Sequence, residues 1–434
     1  MMSRWLEEAK KEYSYTLLQR RHLHENPELT SREFETVAYI CKELENEDIL
    51  YANILDGGVL AWLDGKQSGQ HVLLRADCDA LPILESKQNE LYPKTCVSLK
   101  DGISHACGHD AHTAMLLTAA KILKRETDFA GRIYFLFERG EEGGNCIYYV
   151  MKEIQKRKIQ IDACYGLHVD TALPVGTIGF RKGILNSGNV NFEITLAGKT
   201  GHGSRPDTAN NPIDCFLAIG NALKDLRMKY VAPDSPLTYN IGSVHAGNKR
   251  NIVPESLTFL GTVRFHDWNS GMIFKEKMKK MIENISAAYG CRADFVEFTG
   301  PSFSVFNESS AVDIAKEAVE NLVGKDHVVE VPVSLGSESF ATLSAFYPSA
   351  FLRLGVRNEE KGITASVHQP QFDMDEEALI IGAALHCEVA LVYLAQERKY
   401  PQEFKPFAGT ADDFLQKTNR PVPKRYDNQE SERL

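Results

Sequence analysis

Hydrophobic residues follow two different patterns along this chain of 434 residues. Over residues 1–186, and again after residue 300, short apolar runs alternate with longer stretches in which apolar residues recur at helical spacing. The runs have the length of buried strands. Strands that alternate with helices predict an α/β fold with a mostly parallel sheet. The predicted strands are 59–63, 72–77, 132–137 and 163–169, and the predicted helices are 3–48 with a break at 25–28, 110–124 and 145–156.

The pattern changes between residues 187 and 299. Residues 190–196 alternate between apolar and polar, which is typical of a strand with one exposed face. The order of elements that follows predicts a small ferredoxin-like α+β unit. These elements are a helix at 212–229, strands at 237–244 and 257–265, a helix at 273–289 and a strand at 291–298.

A chain of this length exceeds what one hydrophobic core usually supports. We therefore expect two domains, a discontinuous one formed by residues 1–186 and 300–434 and an inserted one formed by residues 187–299. Residues 400–434 are polar and contain four prolines. This tail is either an appendage on the surface or partly disordered.

Composition narrows the class of protein. A formal net charge of −10 argues against nucleic acid or an anionic membrane as a partner. The charged N-terminus lacks a signal-peptide core, and no apolar run approaches the roughly 18–20 residues of a membrane span. Nine cysteines without regular spacing are typical of reduced thiols. We therefore expect a cytoplasmic protein.

The densest group of metal-binding residue types lies between Ser104 and His112. It contains Cys107 and His109, and Gly108 between them lets the backbone bend. Thiolate and imidazole donors suit zinc and similar metals. Because the chain has no CxxC pair to complete a structural zinc site, an open catalytic metal site is the better hypothesis.

Further acids and histidines fall where predicted strands end. Asp77 and Asp79 end one strand, Glu141 and Glu142 follow another, and His168 ends a third. Taken singly, each has a structural explanation, such as a turn cap or a solvated helix start. Ligands of α/β folds gather at the carboxyl ends of strands, so together they predict a metal site at one sheet edge.

A series of motifs occurs in order between about residues 15 and 395. They are RHLHENPEL at 21–29, RADCDALPI at 75–83, HACGHDAH at 105–112, EEGG at 141–144, GLHV at 166–169, GHGS at 201–204, NIVP at 251–254, GTVR at 261–264, GSE at 336–338 and His368. This series resembles the M20 metallopeptidase family, in particular its amidohydrolase branch of aminoacylases, hippurate hydrolases and hydrolases of IAA-amino acid conjugates. The resemblance implies a large zinc-peptidase-like catalytic domain with an inserted lid or dimerisation domain.

The resemblance also implies roles for individual residues. Glu141 is expected to be the general base. His202 of the lid is expected to stabilise the oxyanion, either in its own subunit or across a dimer in the site of the partner subunit. Two divalent ions (Zn²⁺, Mn²⁺ or Co²⁺) are expected per subunit. The implied metal ligands are Cys107, His109, Glu142, His168 and His368.

The expected roles of four other residues are less specific. Asp79 and Asp110 suit bridging positions or hydrogen bonds to the ligands. Asn251 and Arg264 are candidate contacts to a substrate carboxylate, and Arg264 could equally form a structural ion pair in the lid.

These observations predict a metal-dependent amidohydrolase that cleaves N-acyl or N-aroyl amino acids with a metal-activated water and forms a homodimer through its lid. The alternatives are a dipeptidase, a hydrolase of the aminobenzoyl-glutamate type, or a non-catalytic binding protein on the same fold. A free Glu141 beside a ligating glutamate favours catalysis. Departures from the family motifs, such as Asp207, Asn211 and Ser339, leave the acyl and amino-acid specificity open.

Overall fold

The computed structural model describes residues 3–126, 128–300, 302–396, 404–418, 420 and 422–423. The helices are α1 (Arg4–Lys11), α2 (Tyr13–Glu25), α3 (Phe34–Asn46), α4 (His109–Lys124), α5 (Ile147–Arg157), α6 (Pro212–Tyr230), α7 (Trp268–Ala288), α8 (Ser309–Val323), α9 (Ala341–Phe346), α10 (Ala378–Leu394) and α11 (Ala411–Lys417). The strands are β1 (Leu50–Ile54), β2 (Gly58–Asp64), β3 (Gln67–Asp77), β4 (Ala130–Glu138), β5 (Ala163–Pro174), β6 (Ile178–Phe180), β7 (Gly183–Asn186), β8 (Gly188–Ala197), β9 (Gly201–His202), β10 (Leu237–Ala246), β11 (Ile252–Val253), β12 (Ser256–Phe265), β13 (Arg292–Phe298), β14 (Val305–Asn307), β15 (Val328–Glu330) and β16 (Ser349–Arg357).

The larger sheet has eight strands in the order β1-β2-β4-β3-β5-β16-β6-β15. Its centre, β4-β3-β5-β16, is parallel, whereas β2 and β6 run antiparallel to their central neighbours. Helices cover both faces. Val72 and Leu74 of β3 therefore belong to one hydrophobic cluster and Leu73 to the other. This double burial explains the uninterrupted apolar run, and the predicted α/β fold with a mostly parallel sheet is confirmed.

The smaller sheet is antiparallel, with the order β10-β12-β8-β13. Its elements follow the sequence β8-α6-β10-β12-α7-β13, which is the β-α-β-β-α-β order expected for residues 187–299. Alternate residues of β8, such as Val190 and Phe192, pack with α6 and α7 in one cluster. The intervening residues of β8 lie on the opposite face, which the helices leave uncovered.

Some elements differ from the sequence prediction. The N-terminal helical region is three helices, and β1, which pairs with β2, was not predicted. Strand β5 continues to Pro174 because its backbone still pairs with β16 there, although residues 170–174 are no longer buried. Since the apolar pattern ends before the hydrogen-bonded pairing does, His168 lies within β5 rather than at its end.

Part of the C-terminal tail packs against the rest of the protein. Helix α11 contacts α5, and Phe414 stacks on Phe303 with ring centroids 5.0 Å apart. The described part of the tail is thus an appendage on the surface, while residues 400–403, 419, 421 and 424–434 lie outside the described residues.

All nine cysteines are free thiols and buried. Within the described ranges, no helix combines the length and the apolarity needed to cross a lipid bilayer.

Candidate metal centre

The start of α4 positions the first two candidate ligands. Gly108 precedes the helix with a φ of 83°, in the left-handed region. A Cβ atom built on Gly108 would lie 2.6 Å from Cγ2 of Val169. Glycine is therefore needed both for the turn and for the close approach to β5. The turn lets Cys107 and the first helical residue, His109, face the same space.

Five side chains from separate elements meet in that space. The Cys107 Sγ atom lies 3.5 Å from Nε2 of His168 and 3.3 Å from Nε2 of His368. Nε2 of His368 also lies 3.0 Å from Oε1 of Glu142. Cys107 belongs to two groups whose candidate ligand atoms are all within 4.8 Å of one another, one with His109 and His168 and one with Glu142 and His368. The structure thus brings together all five predicted ligands.

Hydrogen bonds leave the inward nitrogens of two histidines available. Nδ1 of His168 donates to the carbonyl oxygen of Val169 at 2.7 Å, and Nδ1 of His109 donates to Oδ1 of Asp79 at 3.0 Å. Nε2 of His109 is buried and has no hydrogen-bond partner among the described residues. A buried nitrogen lone pair without a partner costs about 1–3 kcal/mol. A divalent cation would satisfy it, and the thiol, imidazole and carboxylate donors fit such an ion.

The two aspartates predicted to support the ligands are placed differently. Asp79 contacts His109 and accepts hydrogen bonds at Oδ2 from Thr30 and from the backbone N–H of Glu142. It therefore aligns two candidate ligands at once. Asp110 points away from the five ligands, and its Oδ2 lies 2.9 Å from Nε of Arg20 and 2.8 Å from Nδ1 of His24. Residue 110 follows His109 on a helix, so its side chain leaves the helix in another direction.

A buried network beneath the centre was not predicted. Arg75 contacts the carboxylates of Asp77, Glu138 and Glu338 at 2.7–3.0 Å. Asp77 accepts from Nδ1 of His112 at 2.6 Å, and Nε2 of His112 accepts from the backbone N–H of Val169. The signal was present, because Arg75 and Asp77 end the β3 apolar run as buried charges that need partners.

Glu141 lies beside the five candidate ligands, but its carboxylate is held by a hydrogen bond from a different part of the chain. Its Oε1 accepts a hydrogen bond of 3.0 Å from the backbone N–H of Ser339, and the residue forms a group with His109 and Glu142. Burial and the carboxylates of Glu338 and Glu142 raise the pKa of Glu141 well above its usual range. A raised pKa suits a carboxylate that must take up a proton.

His202 and Asn251 lie elsewhere. His202 is in β9, which pairs with β11, and Asn251 immediately precedes β11. The His202 side chain is exposed, and its Nδ1 lies 2.8 Å from Oγ of Ser204. Neither residue lines the cavity that opens beside Glu141 and Glu142. The structure therefore does not bring these two residues to the five ligands within one chain.

A cavity of about 560 Å³ opens beside Glu141 and Glu142. Its wall includes Asn189 and Asn191 from the uncovered face of the smaller sheet, and an apolar part with Tyr148 and Met151 from α5. Arg264, opposite Asn189 in the β8–β12 pairing, donates to Oγ of the wall residue Ser337 at 2.8 Å. Among the described residues it has no ion-pair partner, so the structure does not support the structural ion pair considered for it.

An α/β fold that gathers thiol, imidazole and carboxylate donors beside a free glutamate defines a metallohydrolase. The profile of peptidase family M20/M25/M40 matches residues 73–392, and the chain belongs to this family. A solved structure of a dinuclear metal-binding peptidase of the M20 family from Bacillus subtilis is 31% identical, with a TM-score of 0.73, covering 89% of this chain and 99% of that one.

Several relatives align with most of the chain. Thermostable carboxypeptidase 2 of Saccharolobus solfataricus is 33% identical over 86% of this chain and 94% of its own length. N-acetylcysteine deacetylase of Bacillus subtilis is 33% identical over 86% and 96%, and IAA-amino acid hydrolase ILR1-like 4 of Arabidopsis thaliana is 33% identical over 87% and 85%. The protein is therefore a metal-dependent hydrolase, and its resemblance to the amidohydrolase branch is confirmed.

Proposed function

We propose that this protein hydrolyses the amide bond of N-acyl or N-aroyl amino acids and releases a carboxylate and a free amino acid. The observation that carries the proposal is the pair of adjacent glutamates, in which Glu142 faces the metal ligands while Glu141 is held separately by Ser339. The relatives that cleave acyl or IAA conjugates of amino acids support this substrate class.

We assign the metal centre to Cys107, His109, Glu142, His168 and His368. Two divalent ions bound there would lower the pKa of a water molecule towards neutrality and polarise the substrate carbonyl. Zinc, manganese and cobalt all fit the mixed donor set.

Glu141 moves the proton in the proposed reaction. It removes a proton from the attacking water and later delivers it to the leaving amide nitrogen, which departs as an amine. The Ser339 N–H holds the Glu141 carboxylate in place through both steps. Hydrolysis balances because the water oxygen joins the acyl carbon while both water protons end on the two products.

His202 serves as the donor to the oxyanion in this proposal, and it does so in the active site of a partner subunit. Its exposure on the smaller sheet unit, away from the ligands of its own chain, supports a role in a homodimer formed through residues 187–299. Asn251, adjacent in the β9–β11 region, would approach the substrate with it. Arg264, close to the cavity wall, would contact the substrate carboxylate within its own chain.

The cellular location is part of the proposal. Nine free cysteines fit a reducing compartment, and we place the enzyme in the cytoplasm.

The test is a substrate panel after reconstitution with each of the three metals. N-acetyl, N-benzoyl and indoleacetyl amino acids and dipeptides are compared by the amine they release. Turnover of N-acyl amino acids above dipeptides supports the proposal. Faster dipeptide cleavage would identify a dipeptidase, and binding without turnover in every metal form would identify a non-catalytic protein.

A further inference from the structure

The C-terminal appendage places a cationic side chain in the cavity beside the metal centre. Arg420 lines this cavity together with Glu141 and Glu142. Its guanidinium donates to Oδ1 of Asn189 at 3.0 Å and to Oδ1 of Asn145 at 3.5 Å. The family profile ends at residue 392, so Arg420 is supplied by a part of the chain outside the shared family region.

The charge of Arg420 is not neutralised within the described part of the chain. Both of its hydrogen-bond partners there are amides, and no carboxylate forms an ion pair with it. Burial lowers the pKa of Arg420, Glu141 opposes this change, and the charge of Arg264 lowers the pKa further. A half-buried guanidinium without an ion-pair partner is costly, and an anionic ligand reduces that cost.

The carboxylates that line the cavity interact with groups other than Arg420 or are exposed. Glu338 is held by Arg75 at 3.0 Å, and Glu142 faces His368. Glu297 is exposed. Since Glu141 and Glu142 belong to the proposed metal centre, Arg420 is left to face an anion that arrives with the substrate.

The appendage is held on both sides of Arg420. Before it, Phe414 stacks on Phe303 and packs on Phe346 with ring centroids 5.4 Å apart. After it, the carbonyl oxygen of Pro423 accepts a hydrogen bond of 2.6 Å from the hydroxyl of Tyr149. These anchors hold Phe414 and Pro423 against the rest of the protein, which limits the positions open to Arg420 and reduces the entropy cost of using it for recognition.

We propose that Arg420 is a specificity-determining residue that binds a carboxylate group of the substrate. The inference rests on the proposed hydrolysis of N-acyl amino acids and narrows its substrates to those with a carboxylate at the Arg420 subsite. That carboxylate belongs either to the amino acid or to the acyl group, and two substrate pairs distinguish these sources.

The experiment compares the wild type with Arg420→Met and Arg420→Lys. The first pair is the best N-acyl amino acid of the panel and its α-carboxamide. The second pair is the same amino acid with an N-succinyl or an N-pentanoyl group, which differ by the terminal carboxylate. Inhibition constants replace kcat/KM for any compound that is bound without turnover. Arg157→Met, an equivalent change on an exposed arginine paired with Glu153, is the matched control.

We expect Arg420→Met to lower kcat/KM for the carboxylate-bearing member of one pair by roughly 10- to 100-fold, as for loss of a charged hydrogen bond. For the uncharged member of the same pair, kcat/KM should change less than about threefold, because no charged hydrogen bond is lost. The kcat/KM of Arg420→Lys for the carboxylate-bearing member should lie between those of the wild type and Arg420→Met, because lysine keeps the charge but lacks the planar guanidinium group. In Arg157→Met, the ratio of kcat/KM between the two members of each pair should stay at the wild-type value.

With a wild type that cleaves N-acyl amino acids, two results would overturn the inference. Equal losses for both members of each pair, in Arg420→Met and in the folded Arg420→Lys variant, would assign the residue to packing alone. Unchanged ratios in both variants would show that no carboxylate is recognised there. If the wild type cleaves no N-acyl amino acid at all, the proposed function itself fails and this inference fails with it. A thermal unfolding scan of each variant establishes that it is folded.

Discussion

Adjacent glutamates at the metal centre differ in what holds them. The Glu142 carboxylate faces His368, and its backbone N–H donates to Asp79. The Glu141 carboxylate instead accepts from the backbone of Ser339, which belongs to a distant part of the chain. The position of a backbone donor does not depend on side-chain rotation, so the Ser339 N–H favours one orientation of the Glu141 carboxylate. This difference at the scale of single residues is consistent with the roles proposed for Glu142 as a metal ligand and for Glu141 as a proton carrier.

The first prediction concerns Glu141. Glu141→Gln should lower kcat by roughly 10²- to 10⁴-fold, because an amide cannot take the proton of the attacking water. The metal content should stay at the wild-type value, since the ligands are untouched. Steady-state kinetics and elemental analysis check the two parts, with the exposed Glu90→Gln as control. Near-normal turnover would remove Glu141 from the role of base.

The second prediction concerns Cys107, which belongs to two groups of candidate ligands. Cys107→Ser should lower the number of metal ions bound per subunit, because a neutral hydroxyl is a weaker ligand than a thiolate. Elemental analysis after dialysis measures the stoichiometry. Cys291→Ser, in the core of the smaller sheet, is the control and should keep full metal content. Equal stoichiometry in both variants would contradict ligation by Cys107.

At the scale of elements, the centre depends on how α4 meets β5. Gly108 lets the backbone turn before the helix, and its missing side chain leaves room for Val169. The neighbouring β3 ends at Asp77, which reaches the same region of β5 through His112. Since β3 and β5 are paired in parallel up to Arg75 and Gly166, Asp77 and His168 advance together to the same edge of the sheet.

The third prediction compares two glycines with similar backbone angles. Gly108 has φ 83° and a crowded Cβ position, whereas Gly102 has φ 74° and no atom within 4 Å of that position. Gly102→Ala should cost about 1–2 kcal/mol of stability from backbone strain alone. Gly108→Ala should cost more, because it also collides with Val169, and it should lose metal by displacing Cys107. Thermal unfolding and metal analysis check both variants. Equal stability and full metal content in both would show that the contact with β5 does not position the centre.

At the scale of the whole molecule, the centre and His202 lie on different parts of the chain. His202 is exposed on the smaller sheet unit, and the proposed reaction needs it beside a substrate carbonyl near Cys107. The proposed homodimer, in which each subunit completes the site of the other, would reconcile the exposed position of His202 with its proposed role.

The fourth prediction tests this arrangement by mixing two inactive variants. Glu141→Gln and His202→Ala subunits, mixed and allowed to exchange, should recover about a quarter of wild-type activity, because half of the dimers are mixed and each has one complete site. Activity is measured before and after exchange, and each variant exchanged with itself is the control. If His202 acts within its own chain, mixing restores nothing.

Much of this organisation followed from local pattern. The α/β order and the β-α-β-β-α-β order of the smaller sheet were predictable from apolar periodicity. The five residues that meet at the centre were instead implied by the resemblance of their motifs to the M20 family. Apolar periodicity predicts burial, and parallel strands bring their carboxyl ends to one edge. The pattern failed where backbone pairing outlasts burial, as at the end of β5.

The sequence by itself determined which chemical groups were available, a thiol, three imidazoles and two glutamates in a recognisable order. Only the tertiary structure decided which atoms of these groups face one another. It turned Asp79 towards His109 and Asp110 towards Arg20, set the free nitrogens of His109 and His168, and brought Arg420 into the cavity. The physical reason is distance along the chain, since residue types and periodicity are local properties. Residues as far apart as Glu141 and Arg420 line the same cavity only after the sheets and the C-terminal appendage have packed.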